Sequence, residues 1–201
     1  SRIRSIELLL LNPREYWGFT RFGASDGKDA CGVLPNPYIA GNRTRGNALL
    51  KKNEIQPRLY RDAMANFAGH VHVVTTDGPA GRRGTTIIAA CSVSDDPPTV
   101  LVCLMRTNPA NDIFAKNGVF ALNTLGYHHE GLANAFSGLG GLSQEERFAR
   151  AEWDTLSTGS PTLVDALSVF DCRIVEAKDM ATHRVLFGKV TGLRVGNKVR
   201  P

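Results

Sequence analysis

Hydrophobic and polar positions follow two rhythms along this chain. Between Arg58 and Ala68 the apolar residues Leu59, Ala63, Met64 and Phe67 recur at helical spacing, which predicts a short amphipathic helix stopped by Gly69. From His70 the rhythm changes. His70 to Thr76 (HVHVVTT) is β-branched, Gly84 to Ser94 is small and rich in hydroxyls, and Thr99 to Met105 is apolar; each predicts a strand. Asp77-Gly78-Pro79 signals a turn. Asp95-Asp96-Pro97-Pro98 must connect the second and third strands, because proline cannot donate to a central ladder.

Asn108-Pro109 then opens a helix, with Asn as cap and Pro at the first helical position, and Asn117-Gly118 stops it. Val119 to Leu125 predicts a strand and His129 to Phe136 a second helix. Ser143 with Glu146 forms a capping box for a third helix, Ser143 to Ala149. Leu167 to Ala177 and Arg184 to Val195 predict two long strands, with Asp179 to His183 between them. Strand follows strand too often for a doubly wound parallel sheet. The expected fold is mainly β, a closed or split antiparallel barrel with short peripheral helices. Residues 1–56 differ: they are rich in Gly, Pro, Asn and Arg, as in GVLPNPYIAGNRTRGN from Gly32 to Asn47, and predict an irregular arm. The barrel domain is expected over residues 57–201.

With 201 residues and 42% hydrophobic content the chain can bury a core. No apolar run approaches the roughly 18 residues of a membrane span. Ile6 to Leu11 is broken by Glu7 and closed by Asn12-Pro13, too short for a signal peptide. The four cysteines, Cys31, Cys91, Cys103 and Cys172, make no C-x-x-C pair, and three lie in strand-like runs, which fits a reducing cytoplasm. The net charge of +5 gathers toward both ends of the chain. It suits a solvated surface or an anionic small ligand; no recognition-helix motif or aromatic-basic interleaving supports nucleic acid.

The stretch from Gly84 to Ser94 has two readings. It is an ordinary strand that tolerates small residues, or a backbone platform on which a planar conjugated ring rests, its polar edge bonded by main-chain N–H and C=O groups. Flavin has such an edge. Arg106-Thr107-Asn108-Pro109 is likewise either a capped helix start or an anion site. Gly138 to Leu142 (GLGGL) lacks the leading strand and spacing of a dinucleotide fingerprint. The histidines match no metal spacing: His128 and His129 are adjacent and cannot share a helix face, and His70 and His72 lack a third ligand nearby in sequence. No G-x-S-x-G elbow and no Cys–His pairing argues for acyl transfer. His183 is a surface loop histidine or a polar group at a cleft mouth.

Taken together, Phe67 to Thr76, GTT at Gly84 to Thr86, ACSVSDDPPTVLVC at Ala90 to Cys103, FALNTL at Phe120 to Leu125, LANAFSG at Leu132 to Gly138, ERF at Glu146 to Phe148 and FDCRIVE…THRVLFGKV from Phe170 to Val190 resemble the flavin reductase-like family. The nearest branch is the small reductase component of two-component aromatic or pyrimidine monooxygenases. The resemblance implies an FMN-binding split barrel of Greek-key type, a homodimer, that binds FMN or FAD and uses NADH or NADPH. It implies a flavin-dependent oxygenase partner that receives the reduced flavin. Matched by position, Thr85, Thr86, Ala89, Ala90, Cys91, Ser92 and Val93 would border the ring and ribityl chain. Arg106, Asn108 and Asn111 would lie near the phosphate, Asn123 near the far side of the ring, and His183 at the nicotinamide. Ile87 and Ile88 stand where relatives carry small residues and predict a bulkier wall, and residues 1–56 match nothing in the family.

Such a reaction needs no general base. The cofactors carry the hydride chemistry, and the protein stacks two rings in alignment. Two other readings stand beside it: a non-enzymatic FMN-binding electron-transfer protein, and a basic interaction module.

Overall fold

A computed structural model describes residues 55–138 and 140–196. Most of the expected arm, residues 1–54, lies outside the described residues, as do Leu139 and residues 197–201. The first helix, α1 (Pro57–Met64), belongs to a unit separate from the strands. It starts where Pro57 takes the first helical position and buries no residue. It stops short of the expected Ala68 because Asn66 and Phe67 close on carbonyls three residues back, those of Ala63 and Met64.

The remaining elements are β1 (His72–Thr76), β2 (Arg83–Ile87), β3 (Ala90–Asp95), β4 (Pro98–Met105), α2 (Asp112–Asn117), β5 (Val119–Thr124), α3 (Glu130–Phe136), α4 (Gln144–Phe148), β6 (Trp153–Thr155), β7 (Pro161–Leu163), β8 (Ser168–Met180) and β9 (His183–Val195). Seven strands form one antiparallel sheet in the order β2-β1-β5-β8-β9-β4-β3, and β6 pairs with β7. The expected single strand from Gly84 to Ser94 is two strands, β2 and β3, at opposite ends of that order. Six gaps of about 4.8 Å would hold the edges of a flat sheet roughly 29 Å apart. Yet Ile88 and Ala89 alone join them, spanning at most about 11 Å between Ile87 and Ala90. The sheet must therefore curl until its edges meet. No ladder joins β2 to β3 among the described residues, so the barrel is split at this corner.

Side chains alternate across the wall with period two. Val74, Ile87, Val100, Val102, Leu104, Phe120, Leu122, Cys172 and Leu186 fill the barrel, with Phe114 of α2 as a plug. Val73, Ala121 and Val169 face the other way, under Leu132, Ala133 and Phe136 of α3 and Phe148 of α4. Gly188 has an internal role: a Cβ there would stand 2.4 Å from Phe120 Cζ. No described helix is long and apolar enough to cross a membrane.

Candidate functional site

The outer face of β3, β4 and β9 differs from the rest of the wall. On β4, Val100, Val102 and Leu104 point inward, which turns Leu101, Cys103 and Met105 outward. The ladder pairs Leu101 with Cys91 on one side and Phe187 on the other, Cys103 with Val185, and Met105 with His183. The Ala89 carbonyl accepts from the Cys103 amide at 2.9 Å, so the corner stays in line with the ladder. Ala89, Cys91, Ser92 and Val93 are exposed and Ala90 is half-buried. Between Ser92 and Ser94 the register slips, and Val93 is the extra residue of a bulge, 46% exposed. Since β3 is an edge strand paired only with β4, its far side carries main-chain N–H and C=O groups with no neighbouring strand among the described residues. This is a narrow, small-residue ledge whose outer backbone meets no neighbouring strand among the described residues, although the Ala90 amide donates back to the Ile88 carbonyl at 3.0 Å. Of the two isoleucines expected to thicken the wall, Ile87 turns its side chain into the barrel core and Ile88 is half-buried at the corner.

At the other end of this face lies the tip of the β8–β9 hairpin. His183 is half-buried, its Nδ1 2.8 Å from the Thr182 hydroxyl, and burial pushes its pKa down. Arg106, just past β4, is already engaged: its amide donates to the Thr182 carbonyl at 2.9 Å, Nη1 donates to the Ala181 carbonyl at 3.1 Å, and Nη2 lies 3.3 Å from Asp179. Asn108 is exposed and caps the short 3₁₀ turn Pro109–Asn111 by accepting from the Ala110 amide. Arg184 bonds Asp179 at 2.6 and 3.2 Å and Asp112 at 2.9 Å. The Arg184 hydrogen bond holds the Asp179 carboxyl below the usual range, and Asp179 in turn raises Arg184.

The profile of the flavin reductase like domain matches residues 64–201. The chain belongs to this family. It is 53% identical over 134 residues to the FMN reductase (NADH) RutF 2 of Methylorubrum extorquens, covering 67% of this chain and 77% of the relative. Among solved structures it is similar to a Haemophilus somnus protein assigned as a flavin reductase (TM-score 0.68, 46% identity, 72% of this chain and 91% of the other). It is also similar to BorF, the flavin reductase component of a bacterial two-component tryptophan halogenase (TM-score 0.65, 26% identity, 71% of this chain and 89% of the other).

The flavin reductase fold does not bring all the expected site residues to this face. Thr86 Oγ1 donates to the Ala133 carbonyl of α3 at 2.7 Å, and Thr85 lies on the opposite side of β2, so the two cannot border one ring with their side chains. Asn111 is buried and holds the loop together: it accepts from Arg83 Nε at 2.9 Å and donates to the Met105 carbonyl at 2.9 Å. Asn123 is fully buried, donating to the Val73 carbonyl at 3.0 Å and accepting from the Leu163 amide at 2.8 Å. Its polar atoms are bonded within the core beneath β7. Gly84 is small because a Cβ would stand 2.4 Å from Phe136, not because a ring lies on it.

The structure also joins residues that sequence spacing kept apart. His128 and His129 sit on a 3₁₀ turn, Tyr127–His129, and both reach Asp165, at 3.7 and 3.1 Å, beside a cavity of about 550 Å³ lined also by Arg150 and Glu152. The expectation that adjacent histidines cannot act together fails because it assumed an α-helix. These three could group around a metal ion. However, His129 Nδ1 accepts from the Gly126 amide at 3.0 Å, so the neutral ring carries its proton on Nε2. That nitrogen is buried, close to Asp165 but poorly aligned with it, and as a donor it offers no lone pair to a metal. Burial lowers the pKa of His129 despite the carboxylate. Arg184, Asp179 and Asp112, missed from sequence, had one signal: a charge inside the apolar run RVLFGKV must find a partner.

Proposed function

We propose that this chain is an NADH-dependent FMN reductase that works as a homodimer and supplies reduced flavin to an oxygenase partner. One observation carries the reading. The register sets Ala89 and Cys91 on the same outer face as His183, two strands away and two and four residues along, which is roughly 12 to 16 Å in an ordinary sheet. That separation accommodates one planar ring on the ledge and a second ring stacked toward His183.

The residues present fit FMN. Ala89, Ala90 and Cys91 leave the edge strand bare, and the outer backbone beyond Ala90 faces a ring edge that offers acceptors. When bound, FMN accepts hydride from the nicotinamide, and that chemistry is the cofactor's. The chain's part is to orient. The ledge holds one ring, and Asn108 and the remaining N–H groups of Arg106 face an anionic end. His183, neutral because burial disfavours its charged form, presents a polar edge to a carboxamide. A second copy of the chain covers Val93, Val175 and Leu193, apolar side chains that the strands leave exposed. The relatives' names support NADH and FMN over NADPH and FAD. The halogenase reductase component supports a two-component partnership.

Mixing the protein with NADH and FMN and following absorbance at 340 nm tests the reading. Flavin-dependent loss well above the protein-free rate is expected. Flavin binding without NADH loss would favour an electron carrier instead.

A further inference from the structure

Beyond Arg173, β8 leaves β5 and among the described residues has only β9 beside it, and every residue from Val175 to Met180 is exposed. There β9 still pairs with β4 on its other side, His183 beside Met105 and Arg184 beside Leu104, so β8 is the exposed outer strand. Its tip turns through Ala181, a non-glycine residue at φ 37, which favours no single geometry without support. The Arg106 amide and Nη1 hold the Thr182 and Ala181 carbonyls, which leaves the outer strand β8 to be tied to the rest of the barrel.

We propose that Arg184 is the positioning residue for His183, acting as a clamp between the hairpin and α2. This inference rests on the reading of His183 given above. The two residues are neighbours on β9 and project to opposite faces. His183 pairs with Met105 on the outer face, whereas Arg184 pairs with Leu104 and projects to the inner side at the barrel mouth. There its guanidinium spans two carboxylates from different elements: Asp179 on β8, at 2.6 and 3.2 Å, and Asp112 in the first turn of α2, at 2.9 Å. Asp179 is shared with Arg106 at 3.3 Å. The chain Asp112–Arg184–Asp179–Arg106 thus ties the strand carrying His183 to α2 and to Arg106 at the end of β4. Fixing Arg184 on the inner side fixes the rotation of β9, and so the direction of the next side chain on the outer side.

Arginine suits this task and lysine does not, because a rigid planar fork can bond two carboxylates at set angles. Ion pairs as exposed as these contribute little to global stability. The clamp therefore governs geometry more than folding.

The experiment compares Arg184→Gln, Arg184→Lys, Asp112→Asn and His183→Ala with wild type. It reads KM for NADH, kcat, FMN affinity, the melting temperature and amide exchange over residues 179–183. For Arg184→Gln we expect KM for NADH to rise about tenfold, kcat to fall less than about threefold and FMN affinity to hold within about twofold. Exchange at the tip should rise and the melting temperature should barely move. Arg184→Lys should recover only part of the loss, and Asp112→Asn, which cuts one of the two ties, should raise KM about threefold. If His183→Ala raises KM but Arg184→Gln does not, the clamp is overturned and the reading of His183 stands. If His183→Ala leaves KM unchanged, the role of His183 falls and the inference with it. Amide exchange needs no nucleotide, so unchanged exchange in Arg184→Gln overturns the clamp even in a protein that oxidises no NADH.

Discussion

Two parts of the same barrel wall make opposite use of small and polar residues. Under α3 and α4, Phe136, Phe148 and Trp153 meet edge to face at 5.0 to 5.7 Å, and Gly84 is bare so that Phe136 can lie against the strand. Polar groups there are spent. Asn123 is bonded at both ends, and the buried Asp171 carboxylate accepts from the amides of Ser157 and Thr158, each at 2.7 Å. Across the corner at Ile88–Ala89 the small residues are exposed, and the strand's outer amides face no neighbouring strand. The same composition serves packing on one side and leaves an open edge on the other. What separates them is whether a neighbour fills the space, and only the unfilled side is available to a ligand.

Substitutions on the two sides should therefore part company. The largest effect is expected inside the barrel. Gly188→Val places new atoms 2.4 Å from Phe120 Cζ and 2.7 Å from Cys172 Cβ, where packed core cannot retreat. It should destabilise the fold by about 3 kcal/mol or more, read as a lowered urea midpoint. A wild-type midpoint would show that the barrel is looser than described.

A smaller effect belongs to His72 at the end of β1. Its Nδ1 is buried without a partner, and burial, aided by His70, pushes its pKa down to about 4. The unfolded chain takes up the proton at about 6.5 and the folded chain does not. The stabilisation is thus complete above pH 6.5 and is lost as pH falls from 6.5 toward 4, by up to about 3 kcal/mol. Unfolding midpoints measured between pH 7.5 and 4.5 should fall, and His72→Leu should flatten the curve. An equal slope in the variant would assign the acid sensitivity elsewhere.

Much of this contrast was legible in the sequence. Ser143 and Glu146 cap α4 reciprocally as their spacing required, at 3.2 and 2.7 Å, and Asn108 caps the turn before α2. The period-two runs placed the strands, and the matched motifs placed the family. The corner at Ile88–Ala89 was not legible, because no Gly or Pro marks it and only the closure of the barrel demands it. The internal bonding of Asn123 was hidden for a related reason. A polar residue within FALNTL looks the same whether it bonds a ligand or the amide of Leu163, forty residues away. Long-range partners such as Asp179, Arg184 and Asp112 leave even less trace in local spacing.

Flavin binding at this face depends most on the ledge being open to a flat ring. Titrating FMN into Cys91→Trp tests this directly, since the indole would project from the exposed outer face across the ledge. We predict that FMN affinity falls at least about tenfold while stability stays within about 0.5 kcal/mol of wild type. FMN affinity equal to that of wild type would contradict it.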